Sequence, residues 1–281
     1  MYTAERYNCD SHTNGPRTDT AAASGIYANT PRIPSMHSVS HHGRRTAYRT
    51  SDRGGRGHTV LAVHGSGGSH RVWTPQSRVA TDHPLVAVDL SGHGGSDDIS
   101  AMPGYETLSA YVDDVVAVAE AVDADVLLGN SLGAAVVLTG IVERDLDPSG
   151  VVLAGAGCRL PVLQDLLEWA SADFPRAVEF FHAPGHLFHD ADDETLAVSR
   201  AALRETGSAV LDRDLRTAHA VDLRGRLSEV DAPTLAVVGE HDRFTPPHFH
   251  EELCEELSDC ETVVIDDAAH LTMLEAPVAF N

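Results

Sequence analysis

The sequence has no lysine, so the 20 basic residues of this 281-residue chain are all arginine. The chain also has 42 aspartates and glutamates, so the formal net charge at pH 7 is −22. Nucleic acid and anionic membranes would repel a chain with this excess of negative charge. The composition therefore argues against nucleic acid and anionic membranes as partners, and we expect neither.

Acidity without lysine is also typical of proteins from salt-adapted organisms. The electrostatic screening length falls from about 30 Å at 0.01 M salt to about 3 Å at 1 M salt. A surface with this charge would repel itself far less in brine than in dilute buffer. We therefore expect a protein from a halophilic cytoplasm, whose fold and activity depend on salt.

The sequence lacks any run of 18 apolar residues that could span a bilayer, and its N-terminus lacks the apolar core of a secretory signal. Cysteine is scarce, and the spacing of Cys9, Cys158, Cys254 and Cys260 gives no CxxC pair and no zinc-finger pattern. Free or buried thiols in a reducing compartment are the simplest interpretation. The expected location is the cytoplasm.

Residues 1–40 lack sustained hydrophobic periodicity and are rich in Ser, Thr, Asn, Pro and Gly. We predict that they form a disordered N-terminal extension. A shorter version of the same protein would start at Met36, so the preceding segment need not belong to the native chain. At the other end, the sequence stops at Asn281, early in what we expect to be a longer closing helix.

The segment around Ser131 carries the clearest motif. Residues 126–128 are an apolar run typical of a buried strand, and residues 132–142 are small and apolar, as in a packed helix. Between them, Gly129-Asn-Ser131-Leu-Gly133 fits the nucleophile elbow, in which a strand reverses into a helix within a few residues. This turn strains the serine backbone and tolerates only glycine at the flanking positions. On this motif alone, Ser131 as an ordinary helix N-cap remains a rival interpretation.

Strand and helix patterns alternate along the chain. Apolar or β-branched runs predict strands at residues 58–63, 85–89, 126–128, 151–154, 234–238 and 262–265. Helical spacing of apolar residues predicts helices at about 106–122 and 248–257. This alternation indicates an α/β fold with a mostly parallel sheet and helices on both faces. Residues 158–230 show no strand signal, so we predict a helical cap inserted between two sheet strands.

Two of the predicted strands run into glycine-rich turns. His64-Gly-Ser-Gly-Gly-Ser69 follows the first strand and indicates close approach of the backbone to a ligand. A phosphate-binding loop is excluded, because no Gly-Lys-Ser/Thr follows. Asp89-Leu-Ser-Gly-His-Gly-Gly-Ser96 follows the second strand.

Together with the late Asp242 and His270, these blocks make residues 46–281 resemble the α/β-hydrolase fold superfamily in its capped form. The resemblance implies an α/β-hydrolase domain at residues 41–281 with its cap at about 158–230. It also implies a catalytic triad in the chain order Ser, Asp, His. Ser131 would be the nucleophile, His270 the general base and then acid, and Asp242 the acid that orients the imidazole.

The resemblance further implies an oxyanion hole made of two backbone N–H groups. In this fold they come from the residue after the nucleophile and from the first glycine-rich loop, which correspond here to Leu132 and Ser66. The chemistry requires no cofactor and no metal. A small-molecule substrate is therefore the expected partner, and the sequence leaves the oligomeric state open.

Several of the 17 histidines and some of the acids are alternative candidates for structural, metal-binding or catalytic roles. We expect His64 and His93 to hold backbone in the glycine-rich turns, as the family generally uses them. The spacing of three cap histidines next to Asp190 would allow a metal site on one side of a helix: His182, His186 and His189. Asp266 and Asp267 lie near His270 in sequence and remain rivals to Asp242 as the acid.

The expected function is that of a serine hydrolase acting on a carboxylic ester or related carbonyl compound through an acyl-enzyme at Ser131. A serine at the elbow argues against haloalkane dehalogenase and epoxide hydrolase chemistry, which uses a carboxylate nucleophile in this fold. Carbon–carbon bond hydrolysis, lactone opening and cofactor-free perhydrolysis use the same three residues and stay open. A small-molecule binding protein with a weakly active triad is the alternative from another class.

Overall fold

One eight-stranded sheet organises the computed structural model, which describes residues 35–281. The strands are β1 (Ser35–His41), β2 (Arg44–Ser51), β3 (Val60–Val63), β4 (Leu85–Val88), β5 (Val126–Asn130), β6 (Gly150–Ala154), β7 (Thr234–Gly239) and β8 (Cys260–Ile265). Their order across the sheet is β1-β2-β4-β3-β5-β6-β7-β8. All pairings from β4 to β8 are parallel, whereas β1 and β2 add to the edge as antiparallel strands. The predicted mostly parallel sheet is confirmed.

The central strands are apolar on both faces because helices cover both sides of the sheet. On β4, Val86 and Val88 face one core cluster, and Leu85 and Ala87 face another. This alternation follows from the two-residue period of a strand. The strand is therefore buried along its whole length.

Helices account for most of the remaining chain. They are α1 (Tyr105–Val122), α2 (Leu132–Arg144), α3 (Gln164–Ala172), α4 (Phe174–Phe181), α5 (Asp193–Thr206), α6 (Ser208–Ala220), α7 (Pro247–Glu256), α8 (Thr272–Glu275) and α9 (Pro277–Phe280). The predicted helices near residues 106–122 and 248–257 correspond to α1 and α7. None of the helices within residues 35–281 combines the length and apolar character needed to cross a bilayer.

The helices α3 to α6 all lie between β6 and β7, in the stretch of residues 158–230 that was predicted as a helical cap. This stretch is called the cap. Its helices share a small apolar core of their own, which includes Leu167, Val178 and Leu211. Arg159 and Asp222 form an isolated β-bridge where the chain enters and leaves this segment. The two ends of the cap are therefore side by side, as an insertion into a continuous sheet requires.

Ordered structure begins earlier than the predicted boundary at residue 40. Residues 35–40 belong to β1, which pairs antiparallel with β2 over its full length. The strand is polar because it lies at the sheet edge, where an apolar strand would invite aggregation, and this polarity hid it from the sequence pattern. Residues 1–34, most of the predicted disordered extension, lie outside the described part of the chain.

The expectation of free thiols is wrong for two cysteines, because Cys254 and Cys260 form a disulfide. Cys254 lies near the end of α7 and Cys260 begins β8, and the return of the chain brings their Cα atoms to 5.1 Å. That separation suits a disulfide, although a spacing of six residues matches no familiar motif. Cys158 is free and buried, and burial raises the pKa of its thiol to about 11. Cys9 lies outside the described residues.

Candidate active site

Ser131 occupies the sharp turn between β5 and α2, with φ 54° and ψ −118°. A positive φ is strained for a residue with a side chain, so packing must hold this conformation. A Cβ atom on Gly133 would lie 2.4 Å from Val63 O, and one on Gly129 would lie 2.6 Å from Gly133 O. Neither position therefore has room for a side chain, which confirms the steric interpretation of the Gly-x-Ser-x-Gly motif. No side-chain capping bond is made by Ser131, so the N-cap alternative receives no support.

Asp242 and His270 meet at the carboxyl edge of the sheet. Asp242 follows β7 and His270 follows β8, and the distance between Asp242 Oδ2 and His270 Nδ1 is 2.8 Å. Both side chains are buried. Because Asp242 is a hydrogen-bond acceptor when ionised, Nδ1 carries the proton and Nε2 of the neutral imidazole is a free base.

A shell of donors holds the Asp242 carboxylate. Oδ1 accepts the backbone N–H groups of Phe244 at 2.8 Å and Thr245 at 3.0 Å, and Oδ2 accepts the Thr245 hydroxyl at 2.8 Å. Burial alone would raise the pKa of Asp242, but its electrostatic interaction with His270 and these hydrogen bonds outweigh burial and lower the pKa below its ordinary value. The carboxylate is therefore ionised at neutral pH.

Ser131 and His270 line one cavity of about 980 Å³ between the sheet edge and the cap. The backbone N–H of Ser131 donates to Ala154 O at 2.9 Å, which ties the elbow to the end of β6. A Cβ atom on Gly155, the next residue, would lie 2.9 Å from His270 Nδ1. Because residue 155 is a glycine, the His270 imidazole can approach the end of β6, to which the Ser131 N–H is also bonded.

The glycine-rich loop after β3 passes directly beside the elbow. A Cβ atom on Gly65 would lie 3.0 Å from Ser131 Cβ. The loop closes with a bond from Gly68 N–H to Gly65 O at 3.1 Å, which puts Ser66 at its tip in the lining of the cavity. Leu132, the other predicted donor, is the first residue of α2, where helix geometry leaves the backbone N–H without an intrahelical partner.

His64 fixes the base of this loop, as expected. Its Nε2 accepts the N–H of Leu90 at 3.1 Å, so Nδ1 carries the proton and donates to Gly65 O at 2.8 Å. Burial, assisted by the neighbouring His93, lowers the pKa of His64 to about 4. The imidazole is therefore neutral near pH 7 and joins the two glycine-rich turns.

A buried acid of the cap, Asp214 on α6, holds the same loop from the other side. Its carboxylate accepts the N–H of Gly67 at 2.8 Å, the Tyr111 hydroxyl at 2.6 Å and His93 Nε2 at 2.9 Å. Burial would lower the pKa of His93, but Asp214 outweighs burial and raises it. His93 is thus structural, as predicted. Asp214 was missed, since it comes from the cap and no motif surrounds it.

The profile of a family described as "Alpha/beta hydrolase family" matches residues 60–281. The chain belongs to the alpha/beta hydrolase family. This hydrolase is 28% identical over 238 residues to the putative carbamate hydrolase RutD of Rhizobium rhizogenes, covering 79% of this chain and 89% of the relative. It is 29% identical over 241 residues to a pimeloyl-(acyl-carrier protein) methyl ester esterase of Neisseria meningitidis, covering 79% and 90%. A solved structure of a thermophilic esterase is similar with a TM-score of 0.76 and 27% identity, covering 88% and 94%.

The three cap histidines of the hydrolase do not gather into a metal site. His182 contacts Val178 O and Ser199 Oγ, and His186 contacts Phe180 O. His189 lies apart from both and stacks on His241 with ring centroids 3.7 Å apart. Their spacing would place all three on one face of a helix that ran through them. The helix α4 ends at Phe181, before the first of the three.

The rival acids also lie away from the imidazole of His270. Asp266 and Asp267 are exposed, and among residues 35–281 the carboxylate bonded to His270 Nδ1 is that of Asp242. Asp267 has φ 53° in the turn that follows β8 and lies near His241 instead.

The cavity of the hydrolase is lined mainly by apolar side chains from the cap and from the loops around the sheet edge. These side chains are Leu160, Val162, Leu166, Phe180, Leu187, Phe188, Leu203 and Leu215. Phe244 also packs edge-on against the His270 ring, with centroids 5.2 Å apart. A cavity of this kind favours ligands with an apolar acyl, alkyl or aryl group.

Proposed function

We propose that this hydrolase is a serine esterase, with Ser131 as nucleophile, His270 as base and Asp242 as orienting acid. One observation carries the proposal: the bond of 2.8 Å between His270 Nδ1 and Asp242 Oδ2 lies beside the cavity that the strained Ser131 also lines. Nucleophile, base and orienting group are the three parts that acyl transfer through a serine requires. Esterases among the relatives of the chain support the same class of reaction.

In the first half-reaction, Ser131 Oγ attacks the carbonyl carbon of the ester while its proton passes to His270 Nε2. The tetrahedral intermediate then collapses, and His270 returns this proton to the departing alkoxide, which leaves as an alcohol. The ionised Asp242 stabilises the imidazolium that exists between these steps. The product of this half is an acyl ester on Ser131.

In the second half-reaction, water replaces the alcohol. His270 removes a proton from the water as its oxygen attacks the acyl carbon, and the same proton goes to Ser131 Oγ when the acyl–serine bond breaks. A carboxylic acid leaves, and the serine and the neutral imidazole are restored. No cofactor takes part in either step.

The backbone N–H groups of Ser66 and Leu132 are the proposed oxyanion donors. In the turn from Gly65 to Gly68, the Gly68 N–H closes the turn and the Gly67 N–H goes to Asp214, which leaves the Ser66 N–H for the cavity. Donors aimed at the developing negative charge commonly account for about 100-fold to 1,000-fold in rate each. The start of α2 adds the favourable end of its helix dipole.

A small-molecule ester with an apolar acyl or aryl part is the proposed substrate, on the basis of the apolar lining of the cavity. The test is turnover of p-nitrophenyl acetate and butyrate by wild type, by Ser131→Ala and by Ser171→Ala, an exposed serine on α3. We expect Ser131→Ala to lose at least about 10³-fold in kcat, since the nucleophile is gone, and Ser171→Ala to match wild type. Turnover by wild type that is no faster than that of Ser131→Ala and of buffer alone would refute the proposal and favour a ligand-binding role.

A further inference from the structure

A cluster outside the cavity has the composition of a metal site. His189, His241 and Asp267 each offer a ligand atom, and these atoms lie within 4.8 Å of one another. We propose that this cluster binds one divalent transition-metal ion of the Zn²⁺ type. The site is separate from the proposed ester chemistry and does not depend on it.

The three residues come from three different segments. His189 belongs to the cap segment between α4 and α5, His241 precedes Asp242 after β7, and Asp267 lies in the turn between β8 and His270. One ion bound to all three would therefore join the cap to the loops that carry Asp242 and His270.

The backbone of the cluster is already fixed by hydrogen bonds. Glu275 Oε1 accepts the N–H groups of His189 and Asp190, both at 2.7 Å, and its Oε2 accepts the N–H of Ala269 at 2.8 Å. The N–H of His241 donates to Ala268 O at 2.9 Å. These bonds hold the chain, so we expect side-chain rotations to bring the donor atoms to the distance of about 2.0–2.2 Å that a Zn²⁺ ion requires. Organisation of this kind before binding reduces the entropy lost on binding.

The kind of ion follows from the ligands. Imidazole nitrogen suits Zn²⁺, Co²⁺, Ni²⁺ and Cu²⁺, whereas Mg²⁺ and Ca²⁺ prefer sites made only of oxygen. The His241 and His189 rings are stacked with an interplanar angle of 22°, so the two imidazoles are neighbours, and rotation of the rings would aim a nitrogen of each at one ion. Glu240 Oε2 lies 3.6 Å from His241 Nε2 and adds a negative charge that favours a cation. Three protein ligands leave a fourth position for water at this exposed edge.

Binding would strengthen contacts that the cap segment already makes with the loops around the proposed triad. Arg243 N–H donates to Gly185 O at 3.2 Å, and Leu271 N–H donates to Leu187 O at 2.9 Å. These bonds flank Asp242 and His270 on the chain. The ion is therefore expected to stabilise the folded protein and to slow the separation of the cap from the sheet edge.

The test uses the full chain without a histidine tag, stripped of metal with a chelator and then titrated with Co²⁺ or Zn²⁺. We expect d–d absorption bands from one protein-bound Co²⁺, and a rise in Tm of several degrees when Zn²⁺ is in about 100-fold excess over its Kd. His189→Gln and Asp267→Asn should each weaken Co²⁺ binding by at least about 10-fold. Both residues lie in loops, so the variants are expected to fold, and the Tm without metal checks this.

His83→Gln is the matched control, because His83 belongs to another stacked pair, with His58, whose ring centroids are 6.2 Å apart. It should bind Co²⁺ as wild type does, which separates the site from background binding by the many other histidines. Co²⁺ bands of equal strength in wild type, His189→Gln and Asp267→Asn would overturn the proposal. So would the absence of any band at millimolar Co²⁺.

Discussion

Asp214 Oδ2 accepts the backbone N–H of Gly67 at 2.8 Å, which connects a helix of the cap to the loop that carries Ser66. The cap also reaches the other side of the same residue, since the Thr206 hydroxyl donates to Gly67 O at 2.9 Å. A Cβ atom on Gly67 would lie 2.4 Å from Leu203 Cδ1, so the loop and the cap are in close contact. The cap therefore positions the proposed oxyanion loop as well as covering the cavity.

The first prediction is that Asp214→Asn lowers kcat for p-nitrophenyl butyrate by at least about 10-fold, with a smaller change in KM. The amide has no negative charge for His93 or Gly67, so the loop shifts and one oxyanion donor is misplaced. Asp212→Asn is the control, because Asp212 lies on the same helix but pairs with Arg216 on the partly exposed face. Equal loss in kcat for both variants would show that the effect is not specific to the loop.

The second prediction concerns the orienting acid. Asp242→Asn should lower kcat by about 10⁴-fold, because an amide can hold the imidazole in the wrong tautomer and cannot stabilise the imidazolium. Asp266→Asn, the same change at an exposed acid close to His270 in sequence, should leave kcat within about 2-fold of wild type. Thermal unfolding of both variants separates loss of catalysis from loss of fold. A large effect at Asp266 with none at Asp242 would reverse the assignment.

The third prediction is a loss of stability in mild acid that depends on His250. This side chain on α7 is fully buried, and its Nε2 accepts the N–H of Ala156 at 2.8 Å, which only a neutral imidazole can do. Burial, partly opposed by Asp242, lowers the pKa of His250 from 6.5 to about 4. As the pH falls below about 6.5 the unfolded chain binds the proton first, so stability drops until about pH 4.

A shift of this size corresponds to about 3 kcal/mol in the free energy of unfolding across that window. His250→Gln keeps an acceptor for Ala156 but does not titrate, so its stability should change less between pH 7 and pH 5. His248→Gln, at an exposed position of the same helix, should behave as wild type. Urea unfolding at both pH values measures the difference, and parallel pH dependence in all three proteins would contradict the assignment.

The fourth prediction is that salt stabilises the protein. The net charge is −22, and the negative side chains repel one another over a screening length of about 30 Å in 0.01 M salt but only about 3 Å in 1 M salt. The acids at Asp190, Asp192, Asp193 and Glu194 on the cap are exposed and close together in sequence, so screening acts on them directly. We expect the Tm to rise steadily from salt-free buffer to molar KCl. A Tm and an activity that are equal in the two buffers would rule out salt adaptation.

Much of the fold and the proposed triad could be predicted because the signals are local. Ser131 lies in a turn whose flanking glycines are set by steric contacts, and Asp242 and His270 each follow an apolar strand at the same sheet edge. Once parallel strands are inferred, their carboxyl ends must lie together. The sequence therefore predicts which side chains meet without any knowledge of the cap.

Features that depend on tertiary contacts could not be predicted. Asp214 looks like an ordinary acid on a polar helix, and only the packing of α6 against the glycine-rich loop buries it. The disulfide between Cys254 and Cys260 depends on how α7 returns to β8. The cluster of His189, His241 and Asp267 likewise joins three segments that are distant in sequence.

The most direct test of the esterase proposal is labelling with a fluorophosphonate probe in molar KCl, followed by mass spectrometry of the labelled peptide. An activated serine displaces fluoride from the probe, so we expect a single covalent adduct on Ser131 that is absent in Ser131→Ala and forms much more slowly in His270→Ala. A well-folded wild-type protein that takes no label, or that takes it at another serine, would contradict the assignment of Ser131 as the nucleophile.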